Sequence, residues 1–395
     1  MTFAVWLAAF GYFVDVYDLL LFSIVRIPSL RAIGVADIDL MSTGVFLINL
    51  QMFGLLCGGW LWGILGDRYG RKSVLLGSIL LYSAANLLNA FVTDVPTYAV
   101  LRFIAGFGLA GELGAAITLI AESLPTSQRT WGAMIIAMVG MFGAVTAGVF
   151  SEFFTWRVCY GIGGLMGLAL LIGRHQVSES PLFKREKKTK FYSEIKTIFL
   201  NPEKIKTYFL CVAVGVPLWF TSGLLITFAP EFTRNLGVIG DVSVGRGILI
   251  CYGAASLGDI GAGFLSNHLQ SRKKTIAIFM LGTWIASAVY LWVPGLTSQQ
   301  VYLLFALMGI AGGYWATYVL YAAEQFGTKI RSTVTVSIPN MVRGAVVVMV
   351  TAFQFLTPHV GVVRSASFVG IAIMILAYSS LNQLRETFSR NLNFD

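Results

Sequence analysis

Long apolar runs separated by short charged ones set the rhythm of the chain. Val74 to Val92, Ala133 to Phe150 and Ile276 to Val293 each extend for close to twenty residues without a charged side chain. At about 1.5 Å per residue, roughly twenty helical residues cross a hydrocarbon core of about 30 Å, so these runs read as membrane-spanning helices. The strict alternation of a barrel strand is absent from them. Twelve spans are predicted, at 3–26, 42–65, 73–92, 96–121, 131–150, 156–173, 207–230, 245–267, 275–293, 299–324, 333–356 and 361–381. The first is not a cleaved signal sequence by this reading: no basic region precedes it, and Asp15 and Asp18 sit in its middle. The expected fold class is an all-α membrane protein.

Composition agrees, with 56% hydrophobic and only 12% charged residues in 395, more apolar surface than one soluble core can bury. The net charge of +9 is distributed along the chain in a telling way. Twenty of the 28 Lys and Arg lie in the loops after even-numbered spans or in the C-terminal tail, against five on the opposite side or its rim and three (Arg102, Arg157, Arg343) within spans. By the positive-inside rule both termini are cytoplasmic, in a bacterial inner membrane. The charge is thus a topology signal and points to no nucleic acid. The four cysteines and three histidines are scattered singly, so no metal site and no cofactor is expected.

The longest basic stretch, Arg174 to Lys206, separates two sets of six spans. It sets the expected organisation: an N-terminal bundle at 1–173, a cytoplasmic linker at 174–206 and a C-terminal bundle at 207–395. An internal repeat supports the division. Ala121-Glu122-Ser123 through Arg129 matches Ala323-Glu324-Gln325 through Arg331 at an offset of 202, and Gly66-Asp67-Arg68 has a worn copy in Ser266-Asn267-His268. Two parallel, pseudo-symmetric halves are the architecture of an alternating-access carrier with a midplane substrate site between them.

The segment Gly63-Ile64-Leu65-Gly66-Asp67-Arg68-Tyr69-Gly70-Arg71-Lys72 resembles the signature loop of the major facilitator superfamily. Glycines permit a tight turn there, and Asp67 can cap a helix or pair with an arginine. Gly63, Asp67, Arg68, Gly70, Arg71 and Arg129 are therefore candidates for a gating latch, the alternative being a static turn with topogenic charges. Asn267 stands where the second copy would need an acid. Further motifs narrow the resemblance. Gly11-Tyr12-Phe13-Val14-Asp15-Val16-Tyr17-Asp18 in span 1, Arg102 with Gly106 to Glu112 in span 4, and Trp156-Arg157 to Ser178-Glu179-Ser180-Pro181 around span 6 resemble the metabolite:proton symporter branch, with a first span also similar to phosphate:proton symporters. The resemblance covers the whole chain, most strongly its first half. It implies uptake of a carboxylate, zwitterion or phosphate together with protons. The Gly-Pro motif of many drug:proton antiporters is missing from span 5, which leans against efflux.

The intramembrane charges fit that implication. Asp15 and Asp18 share one helical face, and with spans 1 and 4 antiparallel they lie at depths similar to Glu112 and Arg102 respectively. Carboxylates at the bilayer centre cost about 2.5 kcal/mol or more each, and they commonly mark proton relays. Asp15, Asp18 and Glu112 are the proton-coupling candidates, a static ion-pair network being the alternative. Substrate-binding candidates are Arg102, Arg343, Asn340, Tyr314, Tyr318 and Trp219. Arg343 offers a guanidinium to an anion or is neutralised by Asp259; Tyr314, Tyr318 and Tyr321 repeat at i, i+4, i+7, as aromatic packing or as a cavity wall. No enzymatic constellation appears. The expected partners are a small-molecule solute, protons and the lipid bilayer, with the chain a monomer. A proton-driven exporter of a siderophore or drug, or a non-transporting membrane sensor, are the competing readings.

Overall fold

The computed structural model describes residues 3–69, 71–123, 126–175, 201–326 and 328–388, without the side chains of 3–5, 60, 63, 64, 66–69, 71–73, 113–123, 126–135, 175, 328–333, 335 and 336. Local sequence sets where many of its helices begin. Asn201 caps α7 (Pro202–Phe220) by accepting from the Glu203 and Lys204 amides, with Pro202 at the first helical position, where a missing N–H costs nothing. Ser243 caps α9 (Val244–Leu269) and Ser271 caps α10 (Arg272–Trp292) in the same way. Thr297 and Gln300 form a reciprocal capping box at the start of α11 (Ser298–Gly312).

The first half of the chain holds α1 (Phe3–Ala32), α2 (Leu40–Tyr69), α3 (Arg71–Asn89), α4 (Val95–Ser123), α5 (Thr126–Phe153) and α6 (Trp156–His175). In the second half, a π-helical segment, Thr221–Ile226, follows α7 and leads to α8 (Ala229–Leu236). After α11 come α12 (Trp315–Glu324), α13 (Thr328–Val360) and α14 (Val362–Gln383). Spans 7 and 10 are therefore interrupted, so the twelve crossings comprise more than twelve helical pieces. Ten helices among the described residues are long and apolar enough to cross a membrane, and Val74–Asn89 is a shorter apolar one.

The chain divides into two compact units, Met1–Thr197 and Ile198–Asp395. In the first, α2 packs on α4, α1 on α5, and α3 on both α4 and α6. In the second, the helices at the same repeat positions pair likewise: α9 on α11, α7 on α13, α10 on α11. Close backbone approach makes the strongest of these contacts, since lipid offers helices no hydrophobic drive to associate. Gly54 and Gly58 of α2 lie against the Phe103 and Phe107 carbonyls of α4, and Gly309 of α11 lies against the Cys251 carbonyl of α9. A methyl group at any of them would separate the helices.

Two sequence readings need correction. Span 1 does not stop at Arg26, because α1 continues through Pro28 to Ala32, so Arg26 is fully buried beside Gly44 rather than at the rim. Arg174 is not a linker residue but the penultimate residue of α6, and its side chain is buried.

Candidate functional site

Of the charges predicted within the first six spans, Asp15, Asp18, Arg102 and Glu112 converge inside that unit, joined by Arg174, whereas Arg157 donates to the Ala90 carbonyl at 2.7 Å. Asp15 and Asp18 on α1, Arg102 and Glu112 on α4, and Arg174 on α6 are all buried. The arrangement has two foci. At one, Arg102 donates through Nη2 to Asn86 Oδ1 on α3 at 2.7 Å, and its guanidinium sits 4.8 Å from the Tyr160 ring, 5.8 Å from Tyr98 and 5.9 Å from Phe22. Tyr98 and Tyr160 share a hydroxyl–hydroxyl bond of 2.7 Å, and the Tyr98 hydroxyl also donates to Ser29 Oγ at 3.2 Å. Aromatic faces thus surround a cation shielded from bulk solvent, and their quadrupoles offset part of its lost hydration. Asp18 lies within electrostatic range of Arg102 and Asp15, with Asn86 alongside. Gly163 on α6 leaves the room that the Asp18 carboxylate occupies.

At the other focus, Arg174 Nη2 donates to Glu112 Oε1 in a buried ion pair, and Asp15 is within electrostatic range of Glu112. Gly11 of α1 faces this pair so closely that a side chain there would collide with both partners. The antiparallel placement of α1 and α4 therefore brings Asp15 toward Glu112 and Asp18 toward Arg102.

In the second unit, Arg343 and Asn340 sit three residues apart on α13, both buried. Asp259 of α9 uses Oδ1 to accept the Ala316 amide at 3.1 Å, capping α12 where span 10 restarts after Gly312 and Gly313. The tyrosine series of span 10 follows the break, with Tyr314 as the N-cap of α12, its carbonyl accepting the Tyr318 amide at 2.8 Å, and Tyr318 and Tyr321 within the helix. All three are buried, and Tyr318 donates to the Cys211 carbonyl of α7 at 2.9 Å. Trp219 is buried in the last turn of α7, and the neighbouring Thr221 hydroxyl is taken by the Leu218 carbonyl. The latch candidates Gly63, Asp67, Arg68, Gly70, Arg71 and Arg129 lie outside the described residues as far as their side chains go.

Sequence reading missed Arg174, Asn86, Tyr82, Tyr98 and Tyr160. Asn86 and the tyrosines carry no charge, and uncharged polar residues within a span give little signal.

The Major Facilitator Superfamily pattern matches residues 1–351. The chain is 26% identical over 348 residues to the sialic acid transporter NanX of Escherichia coli, covering 86% of this chain and 82% of that one. It is 28% identical over 322 residues to the niacin transporter NiaP of Acinetobacter baylyi, covering 73% and 72%. Among solved structures, a D-xylose-proton symporter aligns over 98% of this chain and 99% of its own with a TM-score of 0.76 at 18% identity, a likeness of fold.

Proposed function

Because the chain belongs to the Major Facilitator Superfamily, we propose that it takes up a small anionic, carboxylate-like metabolite together with protons by alternating access. The supporting observation is the set of acidic side chains buried within the first six-helix unit, Asp15, Asp18 and Glu112, facing Arg102 and Arg174. Ions so placed cost stability and commonly mark functional sites, and a carboxylate whose hydration changes can load and release a proton. Niacin and sialic acid, the solutes named for two relatives, are both carboxylic acids. Arg343, with Asn340 beside it, supplies a guanidinium fork for such a group, and Trp219, Tyr314 and Tyr318 supply aromatic surface. Arg102, held by Asn86 and three rings, acts as the counter-ion of Asp18 more than as a ligand for solute.

The carrier resides in a bacterial inner membrane with both termini in the cytoplasm. Its monomer is the working unit, since one chain carries both six-span repeats. Gly63, Asp67, Arg68, Gly70, Arg71 and Arg129 form the cytoplasmic latch of the cycle, whose charge pairs break and re-form between its two states.

Reconstituted vesicles test the coupling, because exchange between equal solute pools needs no net proton movement while accumulation does. Asp15→Asn and Glu112→Gln retain exchange and lose accumulation driven by an imposed pH gradient. Arg343→Ala weakens solute binding itself. Acid-side variants that still concentrate solute in response to pH alone would sink the assignment, and expulsion of solute under the same gradient would make the protein an exporter.

A further inference from the structure

A row of polar side chains connects the two charged foci of the N-terminal unit. On α3, Tyr82, Ser83 and Asn86 are fully buried. Tyr82 lies one helical turn before Asn86, the partner of Arg102, and is within electrostatic range of Asp15, Asp18, Glu112 and Arg174. Among the described residues, several buried atoms along this row have no protein hydrogen-bond partner: Tyr82 Oη, Ser83 Oγ, both Asp18 oxygens, Arg102 Nε and Nη1, Glu112 Oε2 and Arg174 Nη1. Buried polar atoms are rarely left without partners, and an orphaned cluster of donors and acceptors in a roomy polar site is where internal water binds. Glycines let the row lie close against the backbones of α1 and α6. A side chain at Gly163 would meet Asp18, one at Gly167 would meet Ser83 Oγ and the Tyr82 ring, and one at Gly11 would meet Glu112 and Arg174.

We propose that this seam within the N-terminal bundle holds a chain of internal waters that conducts protons between Asp18 and Glu112, with the Tyr82 hydroxyl as its middle stage. The proposal rests on the proton-coupled reading of function and adds a path to it. A proton leaving the Asp18 carboxyl passes to a water. The Tyr82 oxygen then accepts a proton from one side as it releases its own to the other, so the phenol is neutral before and after. The proton ends on the Glu112 carboxylate, whose ion pair with Arg174 opens, and Asp18 is left ionised beside Arg102. The ionisable groups facing the seam are Asp15 and Asp18 from α1, Arg102 and Glu112 from α4, and Tyr160 and Arg174 from α6. The path runs toward the end of the bundle where α6 terminates.

Two measurements test it. Radiolytic hydroxyl labelling of the full chain in nanodiscs oxidises side chains that touch bound water. Tyr82 should label severalfold faster than Tyr318, which is equally buried but has its hydroxyl on the Cys211 carbonyl. Equal inertness of the two would mean a dry seam and overturn the proposal, whatever the transporter's coupling. In vesicles, Tyr82→Phe removes one oxygen and little volume. It should leave solute exchange at the wild-type rate and slow pH-driven accumulation by about a hundredfold, with Ser83→Ala acting in the same direction. Wild-type accumulation by Tyr82→Phe overturns the path alone, whereas a wild-type protein indifferent to the pH gradient overturns the coupled reading of function first.

Discussion

Glu112 and Arg174 neutralise each other where neither can reach bulk water, and that dependence is measurable. Removing one member of a buried pair leaves the other charged and unsolvated, which typically costs about 3–5 kcal/mol, while replacing both with neutral groups of similar size is often nearly neutral. Arg174→Met should therefore lower thermal stability in detergent markedly. The double variant Arg174→Met with Glu112→Gln should be more stable than either single one. Additive losses across the three proteins would mean that the two side chains do not depend on each other. The residue scale is also where sequence reading was most uneven. Asp15, Asp18, Arg102 and Glu112 stood out because an ionisable group inside an apolar run violates its surroundings. Arg174 did not, because it lies at a helix end next to a strongly basic stretch, and at that border charge alone cannot distinguish a buried side chain from a solvated one.

At the scale of elements, apolar length was legible, whereas the interruptions were not. Gly312 and Gly313 in span 10 permit a break, but the break is fixed by the Asp259 carboxylate of α9, which is far away in sequence. A tertiary contact of that kind leaves no local periodicity to read. The segment after α14 is likewise held from outside. Glu386 accepts the Ser271 hydroxyl and the amides of Arg272, Lys273, Thr387 and Phe388, and Arg272 in turn reaches Glu324 on α12 at 2.6 and 3.0 Å. Partial burial alone would raise the Glu386 pKa, but the hydrogen bonds from Ser271, Phe388, Thr387 and Arg272 outweigh it and hold the carboxyl below its usual value. A depressed carboxylate pKa stabilises the fold fully above the unfolded-state value, near 4.5, and the contribution is lost as pH falls through the lower folded value. A spin label on Arg385→Cys should accordingly stay immobile from neutral pH down past 4.5 and loosen only below it. With Glu386→Gln the label should be mobile at every pH. Loosening that persists unchanged in the Gln variant would assign the transition to another group.

For the whole molecule, the proposed orientation in the bilayer rests on how the basic residues are distributed along the chain. The even number of spans places both ends of the chain on one side, and that side carries most of the Lys and Arg. Basic residues resist transfer across the membrane during insertion, which is the ground for proposing that the richer side is cytoplasmic. In the proposed orientation the segment from Gly63 to Lys72 faces the cytoplasm, where the proposed latch would gate the inner mouth of a carrier. A cysteine scan separates the two possible orientations. In a background where Cys57 is replaced by Ser, the remaining cysteines, Cys159, Cys211 and Cys251, are buried. Position 188 lies outside the described residues, in the basic connection between the halves, whereas Ile38 is exposed in the short turn between α1 and α2. A membrane-impermeant thiol reagent added to intact cells should label Ile38→Cys and leave Lys188→Cys untouched. Opening the cells should make Lys188→Cys react. If Lys188→Cys reacts from outside while Ile38→Cys does not, the chain is inverted, the latch faces outward, and the direction assigned to proton-driven uptake reverses with it.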